Sequence, residues 1–285
     1  MDIDTYAAPA DFAAVAGPVL EAEALRNNLM LGILERLLKN PHEYGGDPFL
    51  ATAMEGGEVA LVALMTPPFP LQFYARRPDD ATLKGLVDAL RGGGWSVPAV
   101  MASPEHARAF AEQWSGMGHG GYRPGMSTRL HVLHAVADID DSPGTFTIAR
   151  AEHTDQVVDW LQAFHEEAVP EDPFDAERVR KVTERRIADG AIALWVDGVP
   201  VSTALRTRPM LTNESVSGVY TPPELRGRGY ATSCVAHLSR AILAAGKRYC
   251  CLFTDLTNPT SNKIYARIGY QPVADFQRYD FDVQG

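Results

Sequence analysis

The segment that most limits what this chain can fold into is Arg226-Gly227-Arg228-Gly229-Tyr230-Ala231. Residues 215–221 before it alternate as a strand does, and Ala231, Val235, Leu238 and Ile242 after it recur at helical spacing. A strand, a turn with two glycines and a helix aim several backbone N–H groups at one point, where the helix N-terminus adds partial positive charge. Glycine serves such a turn because the backbone must come close to a ligand and can need a positive φ. The segment reads as an anion cradle, to which Arg226 and Arg228 can add charge-assisted contacts with phosphate oxygens.

Two other phosphate motifs are excluded. No Gly-Lys-Ser/Thr ending is present, so this is not a P-loop. A dinucleotide fingerprint needs glycine or alanine where Thr232 stands, and an acidic residue closer than Asp255. The order of elements also lacks the repeated βαβ alternation of that fold.

In the second half, a strand over 145–150 precedes helices over 155–168 and 175–188, separated by Pro170-Glu171-Asp172-Pro173. Strands over 191–196 and 199–206 flank Asp197-Gly198 as a hairpin. The strand, cradle and helix follow, then a strand over 249–254. Asn258-Pro259 opens a last helix with a side-chain cap and a proline at its first position. Gly269 ends it, and residues 271–283 are strand-like. The first half runs through the same order. A short strand over 2–6 leads to helices over 11–20 and 23–38, and a hairpin of 49–54 and 59–66 turns at Gly56-Gly57. Strands over 71–75, 97–101 and 128–133 alternate with helices over 82–90 and 104–114. The chain is therefore expected to be α+β with mixed sheet, two copies of a β-α-α-β-β-β-α-β-α-β order. The copies occupy residues 1–135 and 145–285, joined by an acidic linker over 136–144 that ends in proline and glycine. After 71–75 comes Ala75-Arg76-Arg77-Pro78-Asp79-Asp80, with no glycine turn, so the first copy cannot make the same cradle. Residues 116–121 are glycine-rich but precede a proline-containing loop, a flexible connection.

Arg226-x-x-Gly229-x-Ala231 matches the Arg/Gln-x-x-Gly-x-Gly/Ala signature of the GNAT (GCN-five-related N-acetyltransferase) superfamily. Val219-Tyr220-Thr221 precedes it at that family's distance, and Asn258-Pro259 through Tyr265, then Gly269-Tyr270, looks like its C-terminal pattern. Residues 145–283 thus resemble a GNAT domain, and the whole chain resembles tandem members with one degenerate copy. The resemblance implies acetyl-CoA as acyl donor and a primary amine, on a small molecule or peptide, attacking the thioester directly. It implies two central strands that splay apart, and pantetheine along the edge Val219–Thr221. It also implies pyrophosphate on the amides of Gly227, Arg228, Gly229, Tyr230, Ala231 and Thr232, with Asn258 as a further contact or only a helix cap. A backbone N–H near Val219 or Tyr220 would stabilise the developing oxyanion.

Tyr265 is the expected general acid, since a phenol with a pKa near ~10 can protonate a leaving thiolate. Ile264 and Ile268 would form the core stripe of its helix, leaving Tyr265 to face the ligand. Two carboxylates compete as general base, Glu214 and Asp255. The family's usual position for a glutamate in that strand falls on Ser215, and one residue reverses the face, so Glu214 needs a bulge to serve. Glu166, Glu167, Glu171 and Asp172 either line an amine pocket or form a solvated face. A non-catalytic acetyl-CoA sensor and a transferase of longer acyl groups are the alternatives. The first copy is expected to close the substrate cleft as a second subunit does in single-domain relatives, giving a monomer that is an internal pseudo-dimer, or a homodimer.

The net charge of −10 argues against nucleic-acid binding, and no apolar run approaches a membrane span. Cys234, Cys250 and Cys251 make neither a disulfide framework nor a zinc set, and His131 and His134 would face opposite sides of a strand, so no metal is expected. The start of the chain lacks a secretory pattern, and a cytoplasmic setting fits these features.

Overall fold

The computed structural model describes residues 3–76, 79–118, 120–168 and 174–282. It divides into two units, the first drawn from Met1–Leu130, Asp255–Thr257 and Val273–Gly285, the second from His131–Thr254 and Asn258–Pro272. Pro170–Pro173, read above as a helix break that includes Glu171 and Asp172, lies outside the described residues.

The first unit contains β1 (Ile3–Thr5), α1 (Pro9–Ala22), α2 (Asn28–Lys39), β2 (Phe49–Glu55), β3 (Glu58–Met65), β4 (Leu71–Ala75), α3 (Asp80–Gly92), β5 (Ala99–Ala102), α4 (Pro104–Gly116) and most of β6 (Tyr122–Leu133). Gly56 and Gly57 turn the β2–β3 hairpin with φ of 58° and 85°, a left-handed pair that glycine adopts without cost. β4 runs parallel to β5, with Leu71 opposite Val100 and Gln72 opposite Met101. The core gathers large apolar side chains from strands and helices, among them Phe49, Leu86, Phe110 and Trp114. Residues 122–127, expected as a proline-containing loop, are instead the start of β6, since the fixed φ of Pro124 suits extended backbone.

The second unit contains β7 (Thr145–Ile148), α5 (Thr154–Ala168), α6 (Ala176–Ala188), β8 (Ile192–Asp197), β9 (Val199–Thr207), β10 (Asn213–Tyr220), α7 (Tyr230–Ala244), most of β11 (Tyr249–Asp255) and α8 (Pro259–Ile268). Its strands lie in the order β11-β10-β9-β8-β7. The β8–β9 hairpin turns at Gly198, φ 71°, with Asp197 opposite Val199. Two cores cover the two faces of this sheet. One holds Val235, Leu238 and Ile242 of α7 with Tyr265 and Ile268 of α8. The other holds Val157 and Trp160 of α5 and Ile187 of α6 with Ile192, Leu194, Leu205 and Tyr220. Residues 136–144 belong to this unit: Ser142 donates through its backbone N–H to Ser233 Oγ (2.8 Å), and Asp141 meets His237 at 2.7 Å.

The last strand, β12 (Gln271–Phe281), serves the first unit. It pairs antiparallel with β5, Gln277 opposite Ala102 through Asp280 opposite Ala99, and Phe281 enters the core with Phe110 and Trp114. The sheet of the first unit is therefore ordered β1-β2-β3-β4-β5-β12-β6. A bidentate ion pair from Arg129 to Asp275, at 2.6 and 2.7 Å, joins β6 to β12. The first unit thus takes a strand from the end of the chain, past the expected linker at 136–144.

Candidate active site

β10 and β11 are paired in parallel only at their starts, with Asn213, Glu214 and Ser215 opposite Tyr249, Cys250 and Cys251. Beyond Ser215 the register ends although both strands continue, so their later residues part. On its other side β10 loses step with β9 between Ser217 and Tyr220. Gly218 stands in that bulge with φ 55°, where a Cβ would come within 3.0 Å of Leu205 Cδ1. A bulge withdraws amides from the ladder, which leaves Gly218 and Val219 out of register. Past it, Ser202 Oγ donates to the Tyr220 carbonyl (3.0 Å) and Thr221 Oγ1 donates to Ser202 Oγ (2.9 Å), fixing the strand end.

The cradle follows directly. Gly227 and Gly229 have φ of 78° and 84°, and Gly229 is the residue from which α7 starts. A Cβ at Gly227 would meet nothing within 4 Å, so conformation and not crowding demands glycine, and the space over the turn is open. The first amide of α7 to find an acceptor is that of Ser233, on the Gly229 carbonyl at 3.1 Å. The amides of Gly227 through Thr232 have none among the described residues. The four orphan donors of a helix start need partners, and here no side chain supplies one. From behind, Tyr230 donates its hydroxyl to Asp197 Oδ2 at 2.6 Å, a bond that, with burial, raises its pKa.

A cavity of ≈ 490 Å³ opens over these amides. Its walls include Val219, Tyr220 and Thr221, the turn from Arg226 to Ala231, and Asn258, Ser261 and Tyr265 of the last helix. Thr232 does not line it; its side chain is buried in α7. Asn258 caps α8 by accepting from the Ser261 N–H at 3.0 Å, which leaves its NH2 group for a ligand. Tyr265 does two things at once. It packs in the core, ring to ring with Tyr270 at 5.9 Å, and it borders the cavity with a hydroxyl that bonds no other described residue. Burial pushes this phenol well above its ordinary range, so it stays protonated at neutral pH.

The two arginines divide the work expected of both. Arg226 is committed to the protein: its Nε donates to the Thr221 carbonyl (2.9 Å), its Nη2 to both oxygens of Glu167 (2.9 and 2.7 Å), and its guanidinium lies 5.6 Å over the Tyr220 ring. Arg228 makes only a 3.4 Å contact to the Glu224 carbonyl and a bond to Tyr230, and is the more available to phosphate.

Neither expected base lines the cavity. Glu214 is buried in a bidentate pair with Arg206, at 2.6 and 2.7 Å, with Lys247 at 3.9 Å. It precedes Val219 by five residues, about 16 Å along a strand, and breaking so buried a pair is costly. The bulge falls after Glu214, so it does not turn this side chain toward the cleft. Asp255 accepts from the N–H and the hydroxyl of Thr257, each at 2.8 Å, and shapes the turn into α8. Glu167 is the one carboxylate among the described residues that line the cavity. Gly218 was passed over in the sequence; a glycine inside an alternating strand is the signal of a bulge.

Comparison with known proteins bears on the fold. Residues 206–279 match the model of the family described as FR47-like protein. No curated protein matches the chain. A GCN5-related N-acetyltransferase from Sphaerobacter thermophilus superposes with a TM-score of 0.68 at 19% identity, over 99% of this chain and 96% of its own. A GNAT-family acetyltransferase from Colwellia psychrerythraea gives 0.61 at 11% identity, over 99% and 100%. A tandem GNAT protein from the clavulanic acid biosynthesis pathway gives 0.54 at 14%, over 100% and 99%. The chain therefore has the fold of GNAT acetyltransferases along its whole length, as the resemblance of residues 145–283 implied. No helix among the described residues is long and apolar enough to cross a membrane.

Proposed function

We propose that the second unit is an N-acetyltransferase that moves the acetyl group of acetyl-CoA to a primary amine by direct attack. The observation that carries this reading is the run of amides from Gly227 to Thr232 without acceptors, opening on a cavity that Tyr265 also borders. A pyrophosphate satisfies those amides and meets the positive end of α7. Arg228 adds charge from the same turn. The β10 edge beyond Ser215, released from β11, offers backbone groups to the two amides of a pantetheine arm. An amide freed by the bulge at Gly218–Val219 supports the carbonyl oxygen as charge develops on it.

The amine nitrogen forms the new C–N bond as the C–S bond breaks with its electron pair on sulfur. Tyr265 gives that sulfur its proton and recovers one from solvent; of the two protons that the ammonium nitrogen sheds, one is thus balanced by the thiol and one is released. A protein that merely held the donor would have no use for an unpaired phenol at this wall, and this favours transfer over sensing. Calorimetry with acetyl-CoA, followed by a thiol-release assay across a library of primary amines, tests the reading. One donor bound per chain and amine-dependent thiol release are expected. No binding at millimolar acetyl-CoA would sink it.

A further inference from the structure

The cavity draws on both faces of the second unit's sheet. Tyr230 and Tyr265 belong to the core under α7 and α8, whereas Tyr220 and Phe164 belong to the core under α5 and α6. It therefore passes through the gap where β10 and β11 part. If a donor occupies the α7 end by its phosphates, the acceptor reaches the thioester from the α5 end. There, Glu167 near the end of α5 is the one carboxylate among the described lining residues, on the same helix as Phe164 and Ala168.

We propose that Glu167 anchors the acceptor's ammonium group and takes its proton, and that the acceptor is a primary amine on an apolar stem. The inference rests on the acetyltransferase reading and deepens it. An ammonium entering this cavity gives up water and needs an anion, and among the described residues that line it Glu167 is that anion. The remaining lining at that end offers apolar contact to a stem. Glu167 is now held by the Arg226 guanidinium at 2.7 and 2.9 Å and by the Tyr220 hydroxyl at 3.3 Å. Glu167 and Arg226 are each 46% exposed, and an ion pair so exposed is weak and readily exchanged.

Arg226 directly precedes the cradle, so phosphate arriving there offers its guanidinium a second anion. Glu167 is then free to exchange that guanidinium for the ammonium. The proton balance is complete. R–NH3+ gives one proton to the Glu167 carboxylate, the neutral nitrogen forms the C–N bond, and nitrogen loses its second proton as the amide forms. Sulfur keeps one proton as the thiol, and one is released to solvent.

The test uses the full chain with acetyl-CoA, and phenethylamine and n-hexylamine as acceptors. In Glu167→Gln we expect acetyl-CoA affinity within threefold of the parent, and kcat/KM for either amine lower by about thirtyfold or more. Glu167→Asp should recover part of that loss, and thermal melts should show all variants folded. Loss of acetyl-CoA affinity with an unmoved amine KM would make Glu167 only a latch for Arg226 and overturn the assignment. So would a parent protein that binds acetyl-CoA yet acetylates neither amine. If the parent fails to bind acetyl-CoA at all, the donor reading falls first, and calorimetry reports that separately from the amine kinetics.

Discussion

Residues 3–133 and 145–281 set the same elements in the same order, and the two units they build differ where a strand hands over to a helix. In the second, β10 passes through Gly227 and Gly229 into α7, which starts on a glycine and leaves its first amides open. In the first, α3 starts on Asp79, whose carboxylate accepts from the Thr82 N–H at 2.7 Å and its hydroxyl at 2.6 Å. The anion that a helix start attracts is there supplied by the chain itself. The space beside the paired parallel strands differs too: the cavity lined by Gln72–Ala75 of β4 and Met101 of β5 is ≈ 20 Å³, against ≈ 490 Å³ for the one lined by Val219 and Tyr220 of β10. Even the Tyr–Glu–Arg arrangement recurs. Tyr74 donates to Glu23 at 2.8 Å with Arg26 5.9 Å over its ring, as Tyr220 does with Glu167 and Arg226. Arg26 comes from the link between α1 and α2, however, and Arg226 from the cradle. Shared fold leaves function to the site, and here one N-cap residue and the turn before it separate a candidate enzyme from its filled-in copy.

The largest effect is expected from breaking the first unit at its borrowed strand. A chain ending at residue 270 lacks β12, and with it Phe281 and the Asp275 partner of Arg129. Removing one buried phenylalanine side chain costs about 3–5 kcal/mol, a large share of the ~5–15 kcal/mol that holds a domain. We expect no cooperative melt of the first unit by circular dichroism. A truncated chain that melts as the full one does would show that the units do not share strands as described.

Next comes the cradle. Gly229→Val forces a β-branched residue to φ 84°, at about 1–2 kcal/mol for the conformation alone, and sets a side chain beside the open amides. Acetyl-CoA binding should fall below detection in calorimetry, and native affinity would refute the cradle. The parent should bind one donor per chain, not two, since the first unit lacks the glycine turn and starts α3 on its own carboxylate, Asp79.

Tyr265→Phe should be milder, lowering kcat about tenfold to a hundredfold while donor affinity holds. Because burial raises this phenol above its ordinary value near ~10, it stays protonated through that pH. The parent's kcat should therefore show no alkaline fall from this group below about pH 10. A kcat equal to the parent's at every pH in the phenylalanine variant would remove Tyr265 from the chemistry.

Local signals in the sequence were strong enough to mark most elements. Asp197-Gly198 and Gly56-Gly57 named their hairpins, Asn258-Pro259 named the start of α8, and the cradle glycines needed positive φ as the spacing implied. The destination of β12 was not legible. Its residues are strand-like whichever neighbour they pair with, and register between distant segments leaves no mark in one sequence. That Glu214 lies away from the cavity was not legible for a related reason. Glu214 stands near the right strand position, but only the structure shows Arg206 closing on it. Glu167 was one of four acids in a run, and nothing in the run told that it, and not Glu166, lines the cavity.

The smallest effect sharpens the comparison from the other side. Asp79→Ala removes the carboxylate that occupies the start of α3. The Thr82 bonds hold its carboxyl below the usual range, so its contribution is present above the unfolded value near ~3.9 and is lost as pH falls through the folded one. A drop in Tm of about 2–4 °C is expected at pH 7, shrinking toward zero in strong acid. The number of donors bound should nonetheless stay at one per chain, because freeing the helix start restores neither the glycine turn nor the cavity. A second acetyl-CoA bound by this variant would mean that the carboxylate alone had silenced the first unit, and that the lost volume and the missing glycines were incidental.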